Sequence, residues 1–201
     1  MNRRTRSTVR TTVLAAALGA ALTGPLTLPH GSAASPVAGP AARPAPLPIT
    51  LPGRRHPVGR PTEVVIGAIG VRERLTGVGL KADGAMATPD FGHAAWYDLG
   101  PRPGAPGPAV IVAHVHGPDG DDVFARLHEL APGDLVTVRR TDGTSTFVVD
   151  AVELAEKDAL PYRRIWADTT EPVLRLITCG GDPVPGRGYP DNTIVYAHLA
   201  G

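Results

Sequence analysis

A single cysteine, Cys179, closes the apolar run "VLRLITC" (173–179) and is followed at once by Gly180 and Gly181. A histidine, His114, sits near the end of a second apolar run, "PAVIVAHV" (108–115). A thiol becomes a strong nucleophile only as thiolate, and a neighbouring imidazolium both stabilises that form and later supplies the proton for a leaving amine. These residue types therefore suit a thiolate nucleophile with an imidazole as proton carrier, provided the two strand ends meet. Each taken alone also has a plain reading, the cysteine as a small buried hydrophobe and the histidine as a packing or surface residue.

The N-terminus makes the lone thiol more informative. The cationic start "MNRRTRSTVR" leads into "TTVLAAALGAALTG" and then "PLTLPHGSAASP", the layout of an export segment held on its cytoplasmic side by Arg3, Arg4, Arg6 and Arg10. Residues 1–34 are read as a signal peptide or an N-terminal membrane anchor, with cleavage near "SAA" at 32–34. An exported chain meets an oxidising compartment in which cysteines usually pair, and one cysteine has no internal partner. Residues 35–61 are rich in proline and alanine with little hydrophobic periodicity, and are read as an extended spacer. The body then occupies 62–201, and its expected place is the extracytoplasmic face of the membrane or the cell wall.

Charge divides the chain at the same point. Of the 20 Lys and Arg residues, eight precede Glu63, and no Asp or Glu does. The remainder holds twelve basic residues against 19 acidic ones, so a segment of charge +8 leads into a body of charge −7. Such a body is a poor match for the phosphates of nucleic acid, and that partner class is excluded.

The body must supply strands that position the two residues. "EVVIGAIGV", "GPAVIVAHV", "LVTVRR", "TFVVDAVEL", "VLRLITC" and "NTIVYAHL" are β-like runs separated by Gly, Pro and Asp turn signals. "TDGT" (141–144) predicts a hairpin between two of them, and "PGD" (132–134) a turn. Only "DDVFARLHEL" (121–130) reads as a helix, with Phe124, Leu127 and Leu130 on one face and an aspartate to cap its start. The fold class is mostly β, a closed or nearly closed barrel with one or two short helices.

Four stretches, "GPAVIVAHVHG", "LAPGDLVTVRRTDGTSTFVVDAVE", "LRLITCGG" and "GYPDNTIVYAHL", together resemble the sortases of high-GC Gram-positive bacteria, closest to class F. The similarity runs from Pro61 to Leu199, and the order strand-end His, "LITC", "DNTIVYA" is specific. The resemblance implies an eight-stranded sortase barrel and a cysteine transpeptidase. Its partners would be surface proteins carrying a C-terminal LPXTG-like signal and an amine of a peptidoglycan precursor or a lysine. It implies Cys179 as nucleophile and His114 as proton carrier, with no cofactor.

The family's third residue, an arginine that holds substrate and oxyanion, has no exact counterpart. Counting back from "IVYA" reaches Asn192. Arg187, in "GDPVPGRGYPDN", is the nearest guanidinium and is assigned the role, with Asn192 and Arg175 as alternatives for contacting substrate. Gly180 and Gly181 are expected to leave room for the thioester carbonyl. His116 stands where related sequences often have Asp, and no ligand set at a metal-binding spacing accompanies it. His93, His128 and His198 fall outside the pattern. Trp96 and Tyr97 are expected to pack beside the cleft. A thiol hydrolase on the same barrel and a noncatalytic wall-binding domain remain competing readings.

Overall fold

The computed structural model describes residues 57–201. The export segment expected over 1–34 and nearly all of the spacer lie outside these residues. The spacer's last residues are already attached to the body: the Gly59 amide donates to Asp142 at 2.7 Å, and Arg102 donates to the Val58 carbonyl at 2.7 Å.

Among the described residues there are ten strands: β1 (Pro61–Ile66), β2 (Val71–Val78), β3 (Ala94–Tyr97), β4 (Gly107–Ala113), β5 (His116–Gly117), β6 (Gly120–Asp121), β7 (Leu135–Arg140), β8 (Gly143–Glu156), β9 (Pro172–Gly180) and β10 (Asp191–Leu199). Eight of them close into a barrel in the order β1, β2, β3, β4, β9, β10, β8, β7, while β5 and β6 form a separate small hairpin. β2/β3 and β4/β9 are parallel, and the other barrel pairs are antiparallel.

The alternation of β9 divides its side chains between two apolar layers. Leu174 and Leu176 point into the barrel, where Phe147, Phe124, Ile111 and Val136 are also fully buried. Ile177 points outward and packs with Val110 and Val112 of β4 under a short helix, α1 (Tyr162–Trp166). β4 is consequently buried on both faces over its whole length, which is why its sequence "GPAVIVA" reads as a continuous apolar run rather than an alternating one.

Several elements differ from the sequence reading. "EVVIGAIGV" is not one strand. A 3₁₀ turn at Gly67–Ile69 breaks it, and Gly70 in the left-handed region at φ 71° returns the chain as β2. The segment 121–130 is not an α-helix. The Asp122 and Phe124 amides donate to the Val115 and His114 carbonyls, which ties the start of the segment to the chain leaving β4. What remains is tight i→i−3 turning that ends in a 3₁₀ segment at Leu127–Glu129. Phe124, Leu127 and Leu130 are buried as expected, because a spacing of three puts them on one face of a 3₁₀ spiral. The α-helix lies instead at α1, where the Arg164 and Ile165 amides donate to Pro161 at 2.8 and 3.1 Å. The hairpin at "TDGT" is present, joining Arg140 to Gly143 across β7 and β8.

Candidate active site

Parallel pairing of β4 with β9 sends the ends of both strands, and with them His114 and Cys179, to the same side of the sheet. The register runs from Gly107 opposite Pro172 to Val112 opposite Ile177. It is held one step further by the Thr178 hydroxyl, which donates to the Ala113 carbonyl at 2.8 Å. Continued by one more residue, it sets His114 opposite Cys179. Both belong to the outward set of their strands, and parallel neighbours in a sheet are about 4.8 Å apart. On the other side of Cys179, β10 places Asn192 directly opposite it. His114, Cys179 and Asn192 thus form one row across three strands at the C-terminal ends of β4 and β9, and all three are partly exposed.

His114 is fixed on three sides after its strand ends. Its carbonyl accepts from the Phe124 amide at 3.0 Å. Its Nε2 lies 2.9 Å from the carbonyl oxygen of buried Pro89, which can only accept, so Nε2 carries the hydrogen and Nδ1 is left as the ring nitrogen with a lone pair. Phe91 lies against the ring with centroids 4.5 Å apart at 41°. The loop bearing Pro89 and Phe91 is itself anchored, since the Gly92 amide donates to Asp122 at 3.0 Å.

The thiol has a neighbour that sequence reasoning missed. Lys157, just past the end of β8, donates from Nζ to Cys179 Sγ at 3.5 Å and to the Tyr189 carbonyl at 2.6 Å. Its backbone amide donates to Pro190 at 3.1 Å. Nothing in the spacing of 157 and 179 signals this contact. It requires knowing that β8, β10 and β9 lie side by side, so that Glu156 faces Asp191 and Asp191 faces Gly180.

The other expected contributors fare differently. Arg187 is exposed on the β9–β10 loop and makes no side-chain hydrogen bond among the described residues. Arg175 does share the outward face with Cys179, but four residues of strand separate them, about 13 Å. Its guanidinium lies 4.8 Å from the Tyr196 ring centroid and donates to the Leu174 and Arg164 carbonyls, and burial lowers its pKa. Arg175 is therefore a packing residue under α1 rather than a substrate contact at the thiol.

Gly180 also has a different reason to be glycine. It points inward, and an added Cβ would meet Thr193 Oγ1 at 2.6 Å, Leu154 Cδ1 at 2.8 Å and the Thr193 amide nitrogen at 2.9 Å. Close approach of β10 requires it, not room for a substrate. Gly180→Ala is expected to destabilise the protein by about 1–3 kcal/mol, because backbone as well as side chain must shift. Chemical denaturation of the variant against wild type measures this.

His116 does not join the row. It belongs to the β5/β6 hairpin and lies 3.7 Å from Asp121. His93 and His198 are likewise taken up by Glu73 and Asp150. Trp96 is buried in the barrel core, with Nε1 donating to Pro101 at 3.2 Å. Tyr97 meets Trp166 edge-on at 5.6 Å.

Two hollows flank the row. One, of about 440 Å³ on the outer face, is apolar and is lined by Met86, Tyr97, Leu160, Trp166, Ile177 and Ile194, with Asn192 at its edge. The other, of about 540 Å³ at the barrel mouth, is lined by Cys179 itself with His128, Asp182, Tyr189 and Thr193. His128, set aside on sequence, thus borders the thiol's hollow.

The eight-stranded barrel thus carries a thiol and an imidazole near adjacent parallel strand ends. The sequence matches the Sortase domain family over residues 65–200, and the chain belongs to that family. No relative among curated proteins matches. The fold is similar to a pilus-related sortase C of Group B Streptococcus, with 18% identity, TM-score 0.55, and coverage of 71% of this chain and 68% of that one. It is similar also to sortase C1 of Streptococcus suis, with 17% identity, TM-score 0.55, and coverage of 71% and 74%. A lid mutant of Corynebacterium diphtheriae sortase A matches with 18% identity, TM-score 0.57, and coverage of 74% of each chain.

Proposed function

We propose that this sortase-family chain is a class F cysteine transpeptidase. It would cut an LPXTG-like sorting signal and pass the acyl chain, held as a thioester on Cys179, to an amine of the cell wall. The observation that carries the reading is the β4/β9 register, which runs to Val112 opposite Ile177 and, continued by two residues, sets His114 opposite Cys179. Family membership supports the reaction class, and the "LITCGG" and "YPDN" motifs support class F. The cationic and apolar start of the chain supports action outside the cytoplasm.

The geometry suits such a reaction as follows. The sorting peptide lies along the outer face with its apolar side chains in the groove under Tyr97 and Trp166. Its scissile carbonyl sits over Cys179, beside the Asn192 amide. Sulfur attacks the carbonyl carbon, its proton having passed to His114 Nδ1, and the C–N bond breaks as His114 returns that proton to the departing amine. The hollow at the barrel mouth, on the far side of the thiol, admits the second amine. This amine attacks the thioester, gives its proton to His114 and releases the thiolate. The thioester preserves the acyl-transfer potential that direct hydrolysis would lose.

Purified protein incubated with a panel of LPXTG-like peptides, with and without peptide amines or free lysine, tests the proposal by mass spectrometry. A thioester adduct on Cys179 and a product whose mass includes the added amine are expected. Products indifferent to added amine would indicate a thiol hydrolase. Absence of any adduct alongside peptide binding would indicate a binding domain.

A further inference from the structure

We propose that Lys157 is a catalytic residue of this site: its ammonium stabilises the Cys179 thiolate and then the oxyanion formed on the scissile carbonyl. The oxyanion role rests on the transpeptidase reading above, whereas the thiolate role does not. An ammonium has three N–H donors. One is bound by the Tyr189 carbonyl at 2.6 Å and one is directed to Cys179 Sγ at 3.5 Å. The third is open, and the side chain is exposed on the thiol's side of the strand ends.

The cation is held rather than merely nearby. Its backbone amide bonds to Pro190 and its Nζ to Tyr189, so both ends are tied to the loop that leads into β10. That loop is set by the same register that sets Asn192 against Cys179. The charged neighbours are Glu156 and Asp158 on its own segment, Asp191 opposite Glu156 on β10, and Asp182 in the thiol's hollow. Among the described residues none of these carboxylates forms a salt bridge with Lys157, so the sulfur does not compete with an acidic partner for its charge.

The step balances without an outside reactant. The thiol proton passes to His114, the C–S bond forms as the carbonyl π pair moves onto oxygen, and the Lys157 N–H donates to that oxygen without giving up its proton. Collapse restores the carbonyl and expels the amine, which takes its proton from His114. Arg187, exposed and with no side-chain hydrogen bond among the described residues, has no part in this step.

The test uses full-length Lys157→Gln, Lys157→Arg and Arg187→Ala variants, each compared with wild type by melting temperature and by two rates. The first rate is alkylation of Cys179 by iodoacetamide at neutral pH. Lys157→Gln is expected to slow it about fivefold to tenfold, the size of the attraction between unit charges 3.5 Å apart in a water-like dielectric. Lys157→Arg should restore it, and Arg187→Ala should leave it unchanged. The second rate is acyl-enzyme formation with a sorting peptide. Lys157→Gln should lower it about 10²-fold to 10³-fold, as removal of an oxyanion donor does. Alkylation that is equal in wild type and Lys157→Gln overturns the proposal, as does a peptide rate that falls for Arg187→Ala but not for Lys157→Gln. If wild type acylates with no peptide while the alkylation difference holds, the transpeptidase reading fails and the thiolate contact stands.

Discussion

Cys179→Ala is expected to abolish covalent adduct formation with every sorting peptide and to lower amine transfer by at least about 10⁴-fold, with the melting temperature essentially unchanged. The two halves of this expectation come from different parts of the structure. Cys179 is partly exposed and belongs to neither apolar layer, so losing its sulfur opens no cavity and removes only a long contact with Lys157. The chemistry, by contrast, has no substitute. Without sulfur the acyl group has nothing to reside on between departure of one amine and arrival of the next, and direct aminolysis of an amide is very slow. Intact-mass measurement after peptide addition, paired with thermal unfolding, checks both halves. Amine transfer surviving in the variant would rule out the thioester route.

His114→Ala is expected to lower turnover of an amide substrate by about 10²-fold to 10⁴-fold, the usual worth of a positioned acid–base group. The ring is set by the Pro89 carbonyl and by Phe91, so its part in the reaction is Nδ1 proton transfer at a fixed place. An activated ester of the same peptide separates this role from a structural one, because its leaving group departs without being protonated. The variant's loss with the ester should be smaller than with the amide by at least about tenfold. Equal losses on the two substrates would mean that His114 acts by shaping the site, not by carrying a proton.

Much of this site was legible because strand alternation and turn chemistry are local. The run "VLRLITC" specifies its own two faces, and "TDGT" specifies its own hairpin. The rest depended on partners chosen at long range. β3 is four residues of small and aromatic side chains whose strand character comes from lying between β2 and β4. α1 is five residues long, too short for any periodicity, and exists because Ile165 and Trp166 close the outer apolar layer. The segment 121–130 carries a helix-like pattern, but its start is tied to the carbonyls of His114 and Val115 and its later amides turn i→i−3, a spiral that the same spacing of three also fits. Lys157 was invisible for the same reason. A lysine at a strand end is usually a solvated charge, and only the order of three strands makes this one a neighbour of the thiol. Arg175 shows the converse, since alternation put it on the right face while the length of the strand kept it from the chemistry.

The parallel pairing of β4 with β9 also dictates when this machinery can exist. A hairpin forms from neighbours in the chain, but this pair must wait for β7, β8 and α1 to be made and folded back before the ends that carry imidazole and sulfur can align. Closing so long a loop is entropically unfavourable, and packing of the barrel core and of the outer layer offsets it. The nascent chain therefore carries an unassisted thiol, and competence arrives late, together with completion of the molecule.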